Sequence, residues 1–180
     1  MPTVSSGGTL NVSSGHTSTG VIVDSGGTLN VLSGGKIITT TDRGFVEIFG
    51  GGHASVTNVS SGGTETVDPG GTSIATTIRN GGVEFVVGAL LGGAVDRNAT
   101  ISSGGTQNVG FAGVAFATVM SAAATSAGAS LKKCSMAVLR RAGRSCPVGA
   151  WTSFSSVSSA ARRSAAAAGS SSRMPAKRST

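Results

Sequence analysis

Between residues 4 and 119 the apolar positions of this chain recur as single branched aliphatics, set apart by short polar stretches and pairs of glycines. "SSGGTLNVSSG" at residues 5–15 returns almost unchanged as "SGGTLNVLSGG" at residues 25–35. The first glycines of the turn-like elements are Gly7, Gly15, Gly26, Gly34, Gly51, Gly62, Gly70, Gly81, Gly92 and Gly104, at intervals of 8, 11, 8, 17, 11, 8, 11, 11 and 12 residues. Steps of 8 and 11 together define a 19-residue unit, and a fixed period of that size is the mark of a stacked repeat.

Within each step a β-branched residue precedes small polar residues, a Gly-Gly pair, a Thr and the next Val, as in "VSSGGTLN", "VDSGGTLN", "VSSGGTET" and "ISSGGTQN". Val, Ile and Thr favour the pleated strand, and Gly-Gly supplies the positive φ of a tight turn. The pattern predicts strands of about three to five residues joined by turns. Strands so short are stable only when stacked, so the expected fold is all-β, a parallel β-helix of 19-residue coils over residues 1–119. The inward ladder is expected to be Val4, Val12, Val23, Val31, Val46, Val59, Val67, Ile78, Val86, Ile101, Val109 and Val119, in two stacks. About six coils at about 4.8 Å each make a rod of roughly 30 Å. The single 17-residue step predicts a loop or irregular coil near residues 39–56.

Charge changes the picture only at the end of the chain. Residues 1–120 hold Lys36, Arg43, Arg79 and Arg97 against all seven acids, a balance of −3, whereas residues 121–180 hold ten basic residues and no acid. That last segment, with 15 Ala, 15 Ser and four Gly, reads as a separate low-complexity basic tail over residues 120–180, disordered or weakly helical. A genuine tail of this kind would bind nucleic acid or an anionic surface, with "LKKCSMAVLRRAGRSC" as an amphipathic candidate. The competing reading is a shifted reading frame: Ser-Gly-Gly written AGC GGC GGC becomes Ala-Ala in one other frame and Arg-Arg in the other. Cys134, Cys146 and Trp151 then carry no selected role. "MPTVSSGGTLNV" has neither the basic start nor the apolar run of a signal peptide, and no apolar stretch approaches a spanning helix. The expectation is a soluble chain, or a fragment that has lost its export and anchoring parts.

Candidate chemistry is sparse. His16 and His53 stand 37 residues apart in Gly-rich stretches and read as surface residues, and no Ser is singled out as a nucleophile. The acids Asp24, Asp42, Glu47, Glu65, Asp68, Glu84 and Asp96 fall in different phases of the repeat and read as solvated surface rather than the paired carboxylates of glycosidic chemistry. Gly-Gly-Thr lacks the Asp of calcium-binding repeats, and each Gly pair leads into a strand rather than a phosphate-binding helix. No catalytic residue, cofactor or metal ligand is expected. What is plentiful is hydroxyl: Ser5, Ser6, Thr9, Ser13, Ser14, Ser25, Thr28, Ser60, Ser61, Thr64, Ser102, Ser103 and Thr106 fall in or beside turns. Two uses are open to them, hydrogen bonding within the turn or accepting a sugar.

The phrases "VSSGGTLNVSSG", "VDSGGTLNVLSGG", "VSSGGTETVDPGGTSIATTI" and "ISSGGTQNVGFAGVAFATV" resemble the strand-loop-strand repeats of AIDA-type autotransporter adhesin passengers, over about residues 4–119. The resemblance implies a right-handed β-helix, a non-enzymatic role in cell adhesion or aggregation, and a place at the cell surface or in the secreted, outer-membrane-exported fraction. Partners would be host or bacterial cell-surface molecules, or further copies of the chain. It also implies O-glycosylation of the hydroxyls named above. No outer-membrane barrel pattern of alternating strands is present in these 180 residues.

Overall fold

The computed structural model describes residues 1–89, 92–121, 124–128 and 134–135. Most of the expected tail, including Cys146, Trp151 and the amphipathic candidate other than Cys134 and Ser135, lies outside these described residues. The chain is a β-solenoid in which every strand pairing is parallel, as the repeat requires. One winding shows the plan: Thr9–Val12 runs in a first sheet, residues 13–16 turn, and Thr17–Thr19 enters a second sheet. The chain then bends at Gly20, Ile22–Val23 extends the second sheet, and residues 24–27 turn back to Thr28. The first sheet stacks Thr9–Val12, Thr28–Val31, Phe45–Ile48, Thr64–Val67, Val83–Val86, Thr106–Val109 and Thr125–Gly128. Strand pairing thus continues past residue 119, with Thr125 opposite Thr106 and Cys134 opposite Thr118.

The two glycines of each pair serve different needs. The first, such as Gly26 at φ +78 or Gly81 at φ +75, takes a left-handed conformation that a side chain resists, as does Gly15 at φ +78, which His16 follows in place of a second glycine. The second has no room: a Cβ on Gly82 would lie 2.6 Å from the Val59 carbonyl oxygen of the preceding winding, and one on Gly52 2.5 Å from that of Val31. Close approach of windings, and not only turn geometry, therefore keeps the second position glycine. Backbone bonds close the turns, as where Gly82 N–H donates to the Arg79 carbonyl at 2.8 Å and Gly63 N–H to Ser60 at 2.8 Å.

Alternation along each strand sends every second side chain inward, and register repeats it winding after winding. Val12, Val31, Ile48, Val67, Val86 and Val109 stack in one inward column, all at most 3% exposed. Val4, Val23, Asp42, Val59, Ile78 and Ile101 form another. The expected ladder is buried except at Val119, which is half-buried because its neighbour Thr118 takes the inward place. The interior also has more than the two expected stacks. Leu10, Leu29 and Val46 begin a third, Ser18, Ile37 and Ala54 a fourth, and Thr40 and Thr57 belong to a fifth.

Windings are not all of one length. Thr9 to Thr28 and Thr64 to Val83 step by 19 residues, Thr28 to Phe45 by 17, and Val83 to Thr106 by 23. The expected irregular coil near residues 39–56 is absent. That region holds the two longest described strands, Lys36–Asp42 and His53–Val59, of seven residues each and in mutual register. The two missing residues come from the turn, where 24–27 of one winding is matched by only Arg43 and Gly44 in the next. Asp42 compensates: its Oδ1 accepts the Gly44 N–H at 2.9 Å, replacing the carbonyl that closes a full turn. The long winding places its extra residues in the second turn, between Val86 and Val95.

At the bend inside the second sheet, Gly20, Thr39, Val56, Ala75, Asn98 and Ala117 take φ between +55° and +67° at equivalent places. For the β-branched Val56 this is a strained conformation. Its side chain is 45% exposed, so little packing offsets the strain.

Two outcomes follow. Gly82→Ala should destabilise the chain by about 3 kcal/mol, because backbone must move to admit the methyl group. Gly15→Ala, with open space around it but φ +78, should cost only about 1 kcal/mol. Equal losses in urea midpoints would refute the close-approach argument. Val56→Asn should raise stability by about 0.5–1 kcal/mol, since Asn tolerates the left-handed region; an unchanged or lower melting temperature would show that no strain is stored there.

Candidate functional site

The turns carry the hydroxyls outward. Ser5, Ser6, Thr9, Ser13, Ser14, Ser25, Ser61 and Ser103 are exposed, and Thr28, Ser60, Thr64, Ser102 and Thr106 are half-buried. Thr9, Thr28, Thr64 and Thr106 share one outward column of the first sheet, interrupted by Phe45 and Val83 and continued by Thr125. Ser6, Ser25, Ser61 and Ser103 recur at a second equivalent place, where another winding has Asn80. Ser33 occupies the place of Ser14 one winding on and is equally exposed, a position that sequence reasoning missed although "SGG" marks it at residues 33–35.

Glycine also explains where these hydroxyls sit. A Cβ on Gly26 would lie 2.6 Å from the Ser6 oxygen, one on Gly34 2.7 Å from Ser14, and one on Gly81 3.0 Å from Ser61. Each hydroxyl rests over the bare Cα of the next winding. Among the described residues, none of the thirteen hydroxyls makes a side-chain hydrogen bond to the protein. The turns are closed by backbone, so these oxygens are not consumed by folding.

His16 and His53 are both exposed, and His16 Nδ1 lies 3.2 Å from the Ser14 carbonyl. His53 begins a strand opposite Lys36 and Thr72. The acids need a correction. Asp42, Glu65, Glu84 and Asp96 are not solvated surface but fully buried, while Asp24, Glu47 and Asp68 remain on the outside. The reason is register: "TETV", "VEFV" and "TQNV" align with "TLNV", so Glu65, Glu84 and Gln107 occupy the inward place of Leu10 and Leu29. That alignment was available in the sequence.

Inside the rod Glu65, Glu84 and Asp96 form two adjacent hydrogen-bonded clusters, one around Glu65 and one around Gln107. Ser73 Oγ donates to Glu65 Oε1 at 3.2 Å and Thr76 Oγ1 to Oε2 at 3.3 Å. Gln107 Nε2 donates to Glu84 Oε2 and to Asp96 Oδ2, each at 2.8 Å, and Thr118 and Ser126 donate to Gln107 Oε1 at 3.4 Å. Burial pushes the Asp42 and Asp96 carboxyls up to about 7 and Glu65 up to about 8, and raises Glu84 well above the usual carboxylate range. Carboxyls enclosed in this way cannot meet a polysaccharide, so they do not form a glycosidic pair on the surface. Among the described residues no group of three or more His, Cys, Asp and Glu is arranged to hold a metal ion. No described helix is long and apolar enough to cross a membrane.

No protein-family model and no curated protein matches the chain. Among solved structures, the TibC-catalysed, hyper-glycosylated TibA55-350 fragment is similar, with a TM-score of 0.65 and 32% sequence identity. The likeness covers 69% of this chain and 46% of that fragment, so the chain spans about half the length of its neighbour. At that coarse level it supports the AIDA-type adhesin repeat that the sequence resembles.

Proposed function

We propose that this chain is a repeat segment of a bacterial cell-surface or secreted adhesin passenger, non-enzymatic, whose outward turn hydroxyls accept sugars. The observation that carries the reading is the set of thirteen hydroxyls turned to the outside of the rod with no side-chain hydrogen bond to the described residues. The hyper-glycosylated state of the similar TibA fragment supports it. A stiff solenoid presents the same group on successive windings, so many shallow contacts act together and avidity supplies the strength. The partners are cell-surface molecules of a host or of neighbouring bacteria, or further copies of the rod.

Co-expression of the full chain with TibC tests the acceptor assignment by intact mass and peptide mapping. Sugar additions should fall on Ser5, Ser6, Thr9, Ser13, Ser14, Ser25, Thr28, Ser60, Ser61, Thr64, Ser102, Ser103 and Thr106, with none on the buried Ser73, Thr76 and Thr118. Absence of any added mass, or modification spread over buried and exposed hydroxyls alike, would remove the acceptor role. For adhesion, cells displaying the chain should clump or attach more than cells displaying none; no difference would count against the adhesin reading.

A further inference from the structure

The rod has two kinds of interior. Where Leu10, Leu29 and Val46 line the first sheet, the core is aliphatic; one winding later the same column becomes Glu65, Glu84 and Gln107. Asp96 continues the column of Ile37 and Ala54, and Asp42 interrupts a column of Val23 and Val59. These four carboxyls are fully buried, and Asp42 Oδ2, Glu84 Oε1 and Asp96 Oδ1 have no hydrogen-bond partner.

No described residue that faces them carries positive charge. The side chains bonded to these acids are Ser73, Thr76 and Gln107, with Thr118 and Ser126 bonded in turn to Gln107, all neutral. Among the described residues Lys36, Arg43, His53, Arg79 and Arg97 all lie exposed on the outside. Glu47 and Asp68, which repel each other, are also exterior. Glu65 and Glu84 are direct register neighbours on adjacent strands, about 4.8 Å apart along the rod. Two buried like charges at that spacing, without a counter-ion, cost far more than a dry core tolerates. As neutral acids the same groups fit: Glu65 accepts from one of Ser73 and Thr76 and donates its O–H to the other, the two hydroxyls being 2.6 Å apart, and Glu84 and Asp96 accept from the Gln107 amide, with no charge to desolvate.

We propose that the windings from Glu65 to Gln107 are a protonation-dependent segment of the rod, closed while their carboxyls are neutral and opening locally when these ionise. Because a solenoid is stabilised by nearest-neighbour terms, ionisation loosens these windings, and the earlier one that holds Asp42, without unfolding the winding that begins at Thr9. The direction follows from linkage. The unfolded carboxyls lose their protons near pH 4, whereas burial holds those of Asp96 to about 7 and of Glu65 to about 8. Between those values the folded chain binds more protons than the unfolded one. Stability is therefore fully present below about pH 4 and falls as pH rises through 7 to 8.

Hydrogen exchange of the full chain, compared at about pH 5 and about pH 8.5 after correction for intrinsic rates, tests this. Protection of Thr64–Val67, Val83–Val86 and Thr106–Val109 should fall at least about tenfold more than that of Thr9–Val12, whose winding holds no buried acid, the equivalent of about 1.4 kcal/mol. The paired variant Glu84→Gln with Asp96→Asn should lose most of that difference. A uniform change along the rod, or a difference that survives in the variant, would overturn the proposal. Should the double variant not fold, the single Glu65→Gln variant and the pH profile of the unmodified chain's melting temperature decide. A melting temperature that is flat or rises between pH 5 and 8.5 would overturn it as well.

Discussion

Axial contact between successive windings is the constraint on which the rest of this structure depends. Parallel strands at one spacing place each residue directly over its counterpart, so a position must tolerate what stands above and below it. The second glycine of each pair shows how strict this is. Its neighbour is a backbone carbonyl of the preceding winding, which cannot rotate away as a side chain can. Serine over glycine is the gentler form of the same rule, with the hydroxyl of one winding filling the space that the next leaves bare. Repetition of the letters is thus a consequence of contact, and not of any chemistry that the letters perform.

The same constraint accounts for the departures. Removing two residues from a turn leaves the register of the flanking strands intact, provided that the orphaned Gly44 N–H finds an acceptor, and Asp42 supplies one from the inward column. The cost is a carboxylate in an aliphatic stack, with Oδ2 unpartnered. Four added residues between Val86 and Val95 are accommodated just as locally, because a turn at the rim touches only its neighbours. Interior polarity follows a different logic: once Glu65 stands in the column, Ser73 and Thr76 across the core complete it, and Gln107 joins Glu84 to Asp96. Glu65 and Asp96 are supported by polar partners on a facing column and Glu84 by Gln107 next to it in its own column, which is how a buried network remains affordable.

Much of this was legible in the chain. Glycine marks each turn between residues 5 and 113, and branched aliphatics at fixed offsets mark the inward face, because both are dictated by local geometry. The inward acids were not read as such, since a carboxylate in isolation is most at home in water. Alignment of "TETV" on "TLNV" carries the information, but only register, a property of two windings together, overrides the preference of one residue. The short winding was misread for a related reason. A missing pair of residues looks like disruption along the sequence, whereas in the stack Lys36–Asp42 and His53–Val59 remain paired over almost their whole length. For the outer hydroxyls, the sequence left two uses open. Backbone closure of the turns, seen where Gly8 bonds to Ser5 and Gly105 to Ser102, leaves their side chains out of the fold's own bonding.

That separation has a consequence for the outer surface. Since no turn depends on a serine oxygen for closure, a substituent on it removes no native hydrogen bond, and the interior columns do not sense it. Crowding between substituents is then the limit. Serines at the same place in adjacent windings, such as Ser6 and Ser25, are separated by little more than one strand spacing, about 4.8 Å. A sugar ring is wider than that, so on the proposed acceptor role neighbouring serines would compete for room. Windings that carry Arg43, or Arg79 with Asn80, in place of turn serines open gaps in the array. Between Ser25 and Ser61, and again between Ser61 and Ser103, such a winding intervenes, and there the hydroxyls stand far enough apart that, as proposed acceptors, they would be occupied independently. Spacing along the rod, set by which windings break the serine pattern, is therefore the physical quantity that governs how densely its surface can be decorated.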